Sequence, residues 1–279
     1  LAALVVLVLL AGCGGGSGST SDTAQRTTSA TRAAPVPKVV VPQAEGEAPP
    51  TTKNAGAPTA GDVVAIDPGH NGANGANPSV INQQVPAYAD GGTKECDTTG
   101  TATDDGALTE SAFNLDVALA VRAKLQADGI KVVMTRTSDN GVGPCINKRA
   151  EIGNRAGADA AVSIHADGNL GSGAHGFDIN YPLSDQLVHP SIFGPSHQLA
   201  VDLRDSLQGA GVPPANYIGS NGLDGRDDLG GLNLSSVPKV LAELGNMRDA
   251  SEAAQLESPA YRSQLAAALA KGVERFLAG

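Results

Sequence analysis

Apolar and polar residues change their period several times along this chain, and the changes mark out elements from residue 61 onward. Residues 62–67 (DVVAID) form a short β-branched run that stops at Pro68-Gly69, as a buried strand would. Residues 108–128 then carry Leu115, Ala118, Leu119 and Leu125 at helical spacing and end at Gly129. A second strand is predicted over 130–135 (IKVVMT), a helix over 146–156 closed by Gly157, and a third strand over 160–165 (AAVSIH). Residues 176–181 read as a fourth strand, 196–207 as a helix, 239–244 (KVLAEL) as another strand and 259–277 as a terminal helix. Strand and helix alternate, and no internal repeat is visible. The expected fold is α/β: a single domain with a mostly parallel (mixed) twisted sheet flanked by helices on both faces.

Before residue 61 this periodicity vanishes. Residues 1–12 are uncharged and nearly all apolar, too short to span a bilayer but suited to the h-region of an export signal. The run ends in Leu10-Ala11-Gly12-Cys13, which resembles the lipobox of bacterial lipoproteins. That resemblance implies acylation of Cys13 and a lipid-anchored protein on the outer face of the cytoplasmic membrane or in the cell envelope. Residues 14–60 are mostly Gly, Ser, Thr, Ala and Pro, a composition that buries too little surface to offset the entropy of ordering. They are expected to form a disordered tether, leaving residues 61–279 as the folded domain.

Composition removes several functions. The 279 residues carry 19 Lys and Arg against 29 Asp and Glu, a net charge of −10, so phosphate contacts cannot hold a nucleic acid. Aromatics are only 3%, which leaves little to stack on bases. No run approaches the roughly 20 apolar residues of a membrane span, so any membrane contact runs through the lipid anchor. A monomer is expected. Besides Cys13, the chain has Cys96 and Cys145, an even pair in an exported domain, and a disulfide is the natural reading. It would staple the long 71–107 loop to the segment after the second strand.

In open α/β sheets, ligands bind outside the carboxyl ends of the strands. His70 lies just past the first predicted strand, His165 ends the third, Glu243 lies near the end of a late strand, and Glu110 opens the first long helix. Alone, each has a bland explanation; a histidine at a strand end is more often a hydrogen-bonded structural residue. Together they offer two imidazoles and a carboxylate, a known catalytic zinc shell with an open position. A further carboxylate beside it can accept a proton from water.

The motifs around these residues are Asp67-Pro68-Gly69-His70, Glu110 with Asn114-Leu115-Asp116, Ser163-Ile164-His165-Ala166 and Val240-Leu241-Ala242-Glu243-Leu244-Gly245. In this order they resemble the zinc-dependent N-acetylmuramoyl-L-alanine amidases of the amidase-3 type, which hydrolyse peptidoglycan. The likeness spans residues 61–279 and includes Arg149 and the Asn154–Asp159 run. It implies Zn²⁺ bound by His70, Glu110 and His165, with Glu243 as the catalytic carboxylate and peptidoglycan or a muropeptide as substrate. Asn71, Asp167 and Asn246-Met247-Arg248 depart from the usual family residues, which bears on substrate preference. Asp67 and Asp167 either orient an imidazole through its second nitrogen or serve as turn and cap carboxylates. Two rivals remain: a catalytically silent wall-binding lipoprotein, which should lack one of the four residues, and a zinc peptidase cutting within the stem peptide.

Other features carry less. Gly171-x-Gly173-x-x-Gly176 spells a dinucleotide fingerprint, but a predicted strand follows it where a helix is required. His175, His189 and His197 fit solvated or capping roles. Residues 230–233 either line a groove or form a turn, and Arg136 either contacts substrate or closes a structural ion pair.

Overall fold

The structure, a computed structural model, describes residues 61–279 except 186, 187 and 189. The expected export signal, Cys13, the tether and His189 lie outside the described residues. In chain order the elements are β1 (Val63–Pro68), α1 (Pro78–Ile81), β2 (Gln84–Pro86), β3 (Thr93–Glu95), α2 (Glu110–Ala127), β4 (Lys131–Met134) and α3 (Ile146–Ala156). There follow β5 (Ala160–Asp167), β6 (Asp178–Pro182), α4 (Pro190–Gly209), β7 (Leu223–Arg226), α5 (Gly230–Asn233), β8 (Lys239–Asn246), α6 (Ala250–Leu256) and α7 (Pro259–Ala278).

Six strands form one sheet in the order β4-β1-β5-β8-β6-β7, and β2 and β3 make a separate antiparallel hairpin. Within the large sheet, β4, β1, β5 and β8 run parallel, and β6 is antiparallel to β8. The sheet is thus mostly parallel and mixed, as the alternation of elements predicts. Among the described residues no helix is long and apolar enough to cross a membrane.

Period-2 alternation in β1 explains the two unequal faces. Val64 and Ile66 point into the main core with Phe113, Val117 and Val121 of α2, Leu199 and Leu203 of α4, and Leu265 and Leu269 of α7. Ala65 points the other way, into a thin layer with Ala158, Ala161 and Val237. There α3 comes close because it presents Gly153, where an added β-carbon would lie 3.4 Å from that of Ala65. The α3 helix stops at Gly157, whose φ of +56° is the left-handed cap that glycine adopts without steric cost.

This topology creates the crevice. From β1 the chain passes through α2 to β4 on one side, then returns through α3 to β5 on the other, so the order reverses between β1 and β5. Such a switch point is where ligands sit in open α/β sheets. His70 and His165 lie at these two strand ends, and Gly69 N–H donates to Ile164 O across them at 3.0 Å.

Three expectations need amendment. The fourth strand begins at Asp178 because Gly176 takes a φ of +101° and packs against the Pro214 carbonyl. Helix α4 starts at Pro190, six residues early, its first turns disguised by Gly194 and Pro195. The 71–107 segment holds α1, β2 and β3 rather than a bare loop.

Candidate active site

Each candidate side chain is delivered by a different element. Glu110 is the first residue of α2, whose N-cap Thr109 accepts a bond from Ala112 N–H; the helix amino terminus favours a carboxylate there. Glu110 Oε2 accepts from Thr101 N–H at 2.9 Å, while Glu110 N–H donates to Thr101 O at 2.9 Å, so the carboxylate is fixed to the neighbouring loop. Its Oε1 lies 3.1 Å from His70 Nε2 and 2.9 Å from His165 Nδ1. The two imidazoles meet edge to face, with centroids 4.9 Å apart. One ligand atom from each of His70, Glu110 and His165 falls within 4.8 Å of the others, and the trio could hold a metal ion.

The backbone at this point is tight. His70 has a φ of +56°, a left-handed conformation that costs a non-glycine residue roughly 1–3 kcal/mol. Buried arginines hold it there. Arg149 donates from Nη1 to Pro68 O at 2.6 Å and from Nη2 to His70 O at 2.8 Å. Arg136 donates from Nε to Pro68 O at 3.0 Å and from Nη2 to Gly69 O at 2.9 Å, and it pairs with Asp139. Of its two expected roles, Arg136 thus fills the structural one. Gly69 leaves room for the second imidazole: a β-carbon there would lie 2.0 Å from His165 Cε1.

Electrostatics bind the trio together. Burial would lower the His70 pKa, but Glu110 and Asp97 carry it up to about 10. Burial would raise Glu110, but the two imidazoles hold it far below the ordinary carboxylate range. The cage is therefore built to stabilise positive charge.

Glu243 pairs with His165 in the β5–β8 register, and both side chains face the crevice. Its Oε2 is buried without a hydrogen-bond partner. Burial, then the charges of Glu110, Asp178 and Asp167, push its pKa well up. Asp178, opposite Glu243 on β6, is raised to about 7 by burial and by Asp167 and Asp224. Beside these groups runs an open groove of about 390 Å³, walled by Thr98, Thr99, Gly100, Thr101 and Gly168. A second chamber of about 200 Å³ lies behind the imidazoles, lined by Lys94, Leu229 and residues 230–232 of α5, so this glycine-rich stretch lines a cavity as a short helix.

Neither Asp67 nor Asp167 reaches an imidazole. Asp67 accepts from Thr135, Ser163 and Arg149 and pairs with Lys239, all on the α3 side of the sheet. Asp167 stands two residues beyond His165, one strand repeat too far, and accepts from Gly168 N–H and the Tyr217 hydroxyl. The carboxylate that meets His70 Nδ1 is Asp97, at 3.1 Å. Its signal in the sequence was adjacency to Cys96, which is disulfide-bonded to Cys145 as expected. Asp178 had no such signal. His175 is exposed and bonds Gly173 O, and exposed His197 packs edge-on to Tyr181; both lie outside the cage.

Fold and site define a class: an α/β protein with a His-Glu-His group that could hold a metal ion at the switch point of its sheet and a further carboxylate alongside. Residues 64–275 match the family model Amidase_3, N-acetylmuramoyl-L-alanine amidase, and the chain belongs to that family. It is 47% identical over 219 residues to the N-acetylmuramoyl-L-alanine amidase Rv3717 of Mycobacterium tuberculosis, an alignment spanning 78% of this chain and 88% of that protein. The apo crystal structure of the Mycobacterium abscessus N-acetylmuramyl-L-alanine amidase superposes with a TM-score of 0.72 at 49% identity, over 78% of this chain and 100% of that one. The Mycobacterium smegmatis amidase gives 0.71 at 45%, over 78% and 97%. The activity is that of a peptidoglycan N-acetylmuramoyl-L-alanine amidase.

Proposed function

We propose that this chain hydrolyses the amide between the lactyl group of N-acetylmuramic acid and L-alanine, using zinc held by His70, Glu110 and His165. The donor chemistry fits: two imidazole nitrogens and a carboxylate oxygen face one another, and Asp97 engages the second nitrogen of His70. When bound, zinc supplies positive charge that polarises the scissile carbonyl and lowers the pKa of water toward about 7. Glu243 is the proton carrier. Its Oε2 accepts a proton from the attacking water as the carbon–oxygen bond forms, then passes it to the alanine nitrogen as the carbon–nitrogen bond breaks. Burial and the neighbouring carboxylates raise the Glu243 pKa, which strengthens it as the acceptor of the water proton relative to an ordinary carboxylate. The open groove receives the substrate, and its Thr98–Thr101 wall offers hydroxyls and backbone groups to a polar glycopeptide.

The observation that carries this reading is the buried, unpartnered Glu243 Oε2 beside a two-histidine, one-glutamate cage. It also speaks against a silent binder, which has no use for a desolvated carboxylate there. Residues 61–279 act as the catalytic domain of an exported monomer, anchored through Cys13 in the cell envelope. Glu243→Gln preserves shape and removes the base. Zinc content should stay at about one per chain, while release of the L-alanine amine from a muramyl-peptide falls about 10²–10⁴-fold. Hydrolysis at the parent rate would remove Glu243 from the mechanism.

A further inference from the structure

We propose that Asp97 and Arg149, bracketed by the Cys96–Cys145 disulfide, form a positioning device that fixes the His70 ring and so sets how tightly the cage holds its metal. The proposal rests on the reading of His70 as a ligand given above.

One carboxylate and one guanidinium grip a single residue at two points. Asp97 Oδ1 lies 3.1 Å from His70 Nδ1, and Asp97 Oδ2 accepts from Arg149 Nη2 at 2.9 Å. The same Nη2 donates to the His70 carbonyl at 2.8 Å. The ring and the left-handed backbone of His70 are therefore held by one ion pair. Thr98 O, at 3.1 Å, and Thr98 Oγ1, at 3.3 Å, also face Nδ1. They belong to the same arrangement, because Asp97 Oδ1 accepts from Thr98 N–H at 2.8 Å. With these oxygens around Nδ1, that nitrogen is the one placed to keep its hydrogen when a metal replaces the proton that Nε2 shares with Glu110. A carboxylate on the far nitrogen of a ligating histidine fixes its tautomer and plane and raises its basicity.

The charge count argues for a role beyond packing. Arg149 is already paired with Asp67 at 2.9 Å, so its burial does not need Asp97. The second carboxylate adds a negative charge beside the cage and spends one oxygen on the imidazole.

The disulfide spans the same gap as this ion pair. Cys96 immediately precedes Asp97, and Cys145 is the N-cap residue of α3, one turn before Arg149. Arg149 N–H donates to Cys145 O at 3.0 Å, and Arg149 Nε to Pro144 O at 2.7 Å. Ile146 N–H donates to Cys96 O at 2.7 Å, which closes the bracket. The two halves of the device lie 52 residues apart in sequence, on the segment before α2 and on helix α3, and one covalent bond joins them at their roots.

The test measures zinc affinity of the metal-stripped full chain by chelator competition, together with the visible spectrum of the cobalt(II) form. Parent protein should bind zinc and His165→Ala should lose it. Asp97→Asn should weaken zinc about 10–100-fold and shift the cobalt bands. Cys96→Ser with Cys145→Ser should move both readings the same way. An Asp97→Asn protein that melts lower but keeps parental zinc affinity and cobalt spectrum makes the pair merely structural and overturns the proposal. If that variant does not fold, the cysteine variant decides by the same two readings. A parent that binds no zinc overturns the metal reading itself, and this proposal with it.

Discussion

Asp67→Asn changes one atom in the middle of the sheet and should be among the costliest substitutions in the domain. The carboxylate is buried and satisfied on both oxygens: Thr135 Oγ1 donates at 2.7 Å, Ser163 Oγ at 2.6 Å and Arg149 Nη1 at 2.9 Å, with Lys239 Nζ at 3.4 Å. Burial alone would raise its pKa, yet Lys239, Arg149 and the two hydroxyls hold it far below the usual range. The amide loses the charge and presents an N–H₂ group toward donors. Arg149 retains Asp97, but Lys239 loses its ion-pair partner while staying buried. Removing one member of a buried pair costs about 3–5 kcal/mol, chiefly because the other charge is stranded. For a domain of this size that is roughly 6–20 °C in melting temperature. The effect has a sign in pH. A carboxylate depressed by folding contributes stability above its unfolded pKa of about 3.9, and that stability drains away as pH falls below it. Urea titrations followed by circular dichroism should therefore show a gap between parent and variant that is full at pH about 7 and narrows in acid. A gap under about 1 kcal/mol at neutral pH, or one that ignores pH, would refute this account of Asp67.

Asp178→Asn should act in the opposite sense. Asp178 is raised to about 7, faced by Asp167, Asp224 and Glu243 with Arg226 as the nearby cation, so its ionisation in the folded state opposes folding as pH climbs from about 4 to 7. The variant should gain up to about 4 kcal/mol at pH about 8 and nothing in acid, and denaturant midpoints across that range will show it. Gly69→Ala should leave the fold intact but displace the His165 ring, lowering zinc content and cutting hydrolysis by about 10²-fold; parental activity would show that the ring can yield.

Much of this architecture was legible because its signals are local. Val64 and Ile66 alternate with Ala65, helix α2 repeats its apolar residues at the right interval, and Gly157 punctuates α3. The four reactive residues stood at predicted strand ends or a helix start, which is where topology gathers chemistry. What escaped depended on partners distant in sequence. β7 (LDGR) lacks an apolar run and exists because β6 offers it hydrogen bonds. Asp67 is a near neighbour of His70 in sequence, but its side chain lies on the α3 face of the sheet with Ala65, where its charge answers to Arg149 and Lys239. Asp97 became the imidazole's partner because a 49-residue disulfide loop carries it back to the cage.

The split between what carries the reacting groups and what walls the groove has a consequence for how such a protein can change. His70, Glu110, His165 and Glu243 hang from strand ends and a helix terminus. Their spacing is dictated by backbone hydrogen bonds that tolerate little revision. The groove wall over residues 98–101 lies outside the sheet, on the segment between β3 and α2, and bonds from the Thr101 backbone to Glu110 tie it to the frame. Because those bonds use main-chain atoms of Thr101, the Thr98, Thr99 and Thr101 side chains can be exchanged to alter what the groove admits while the backbone that places Glu110 stays the same.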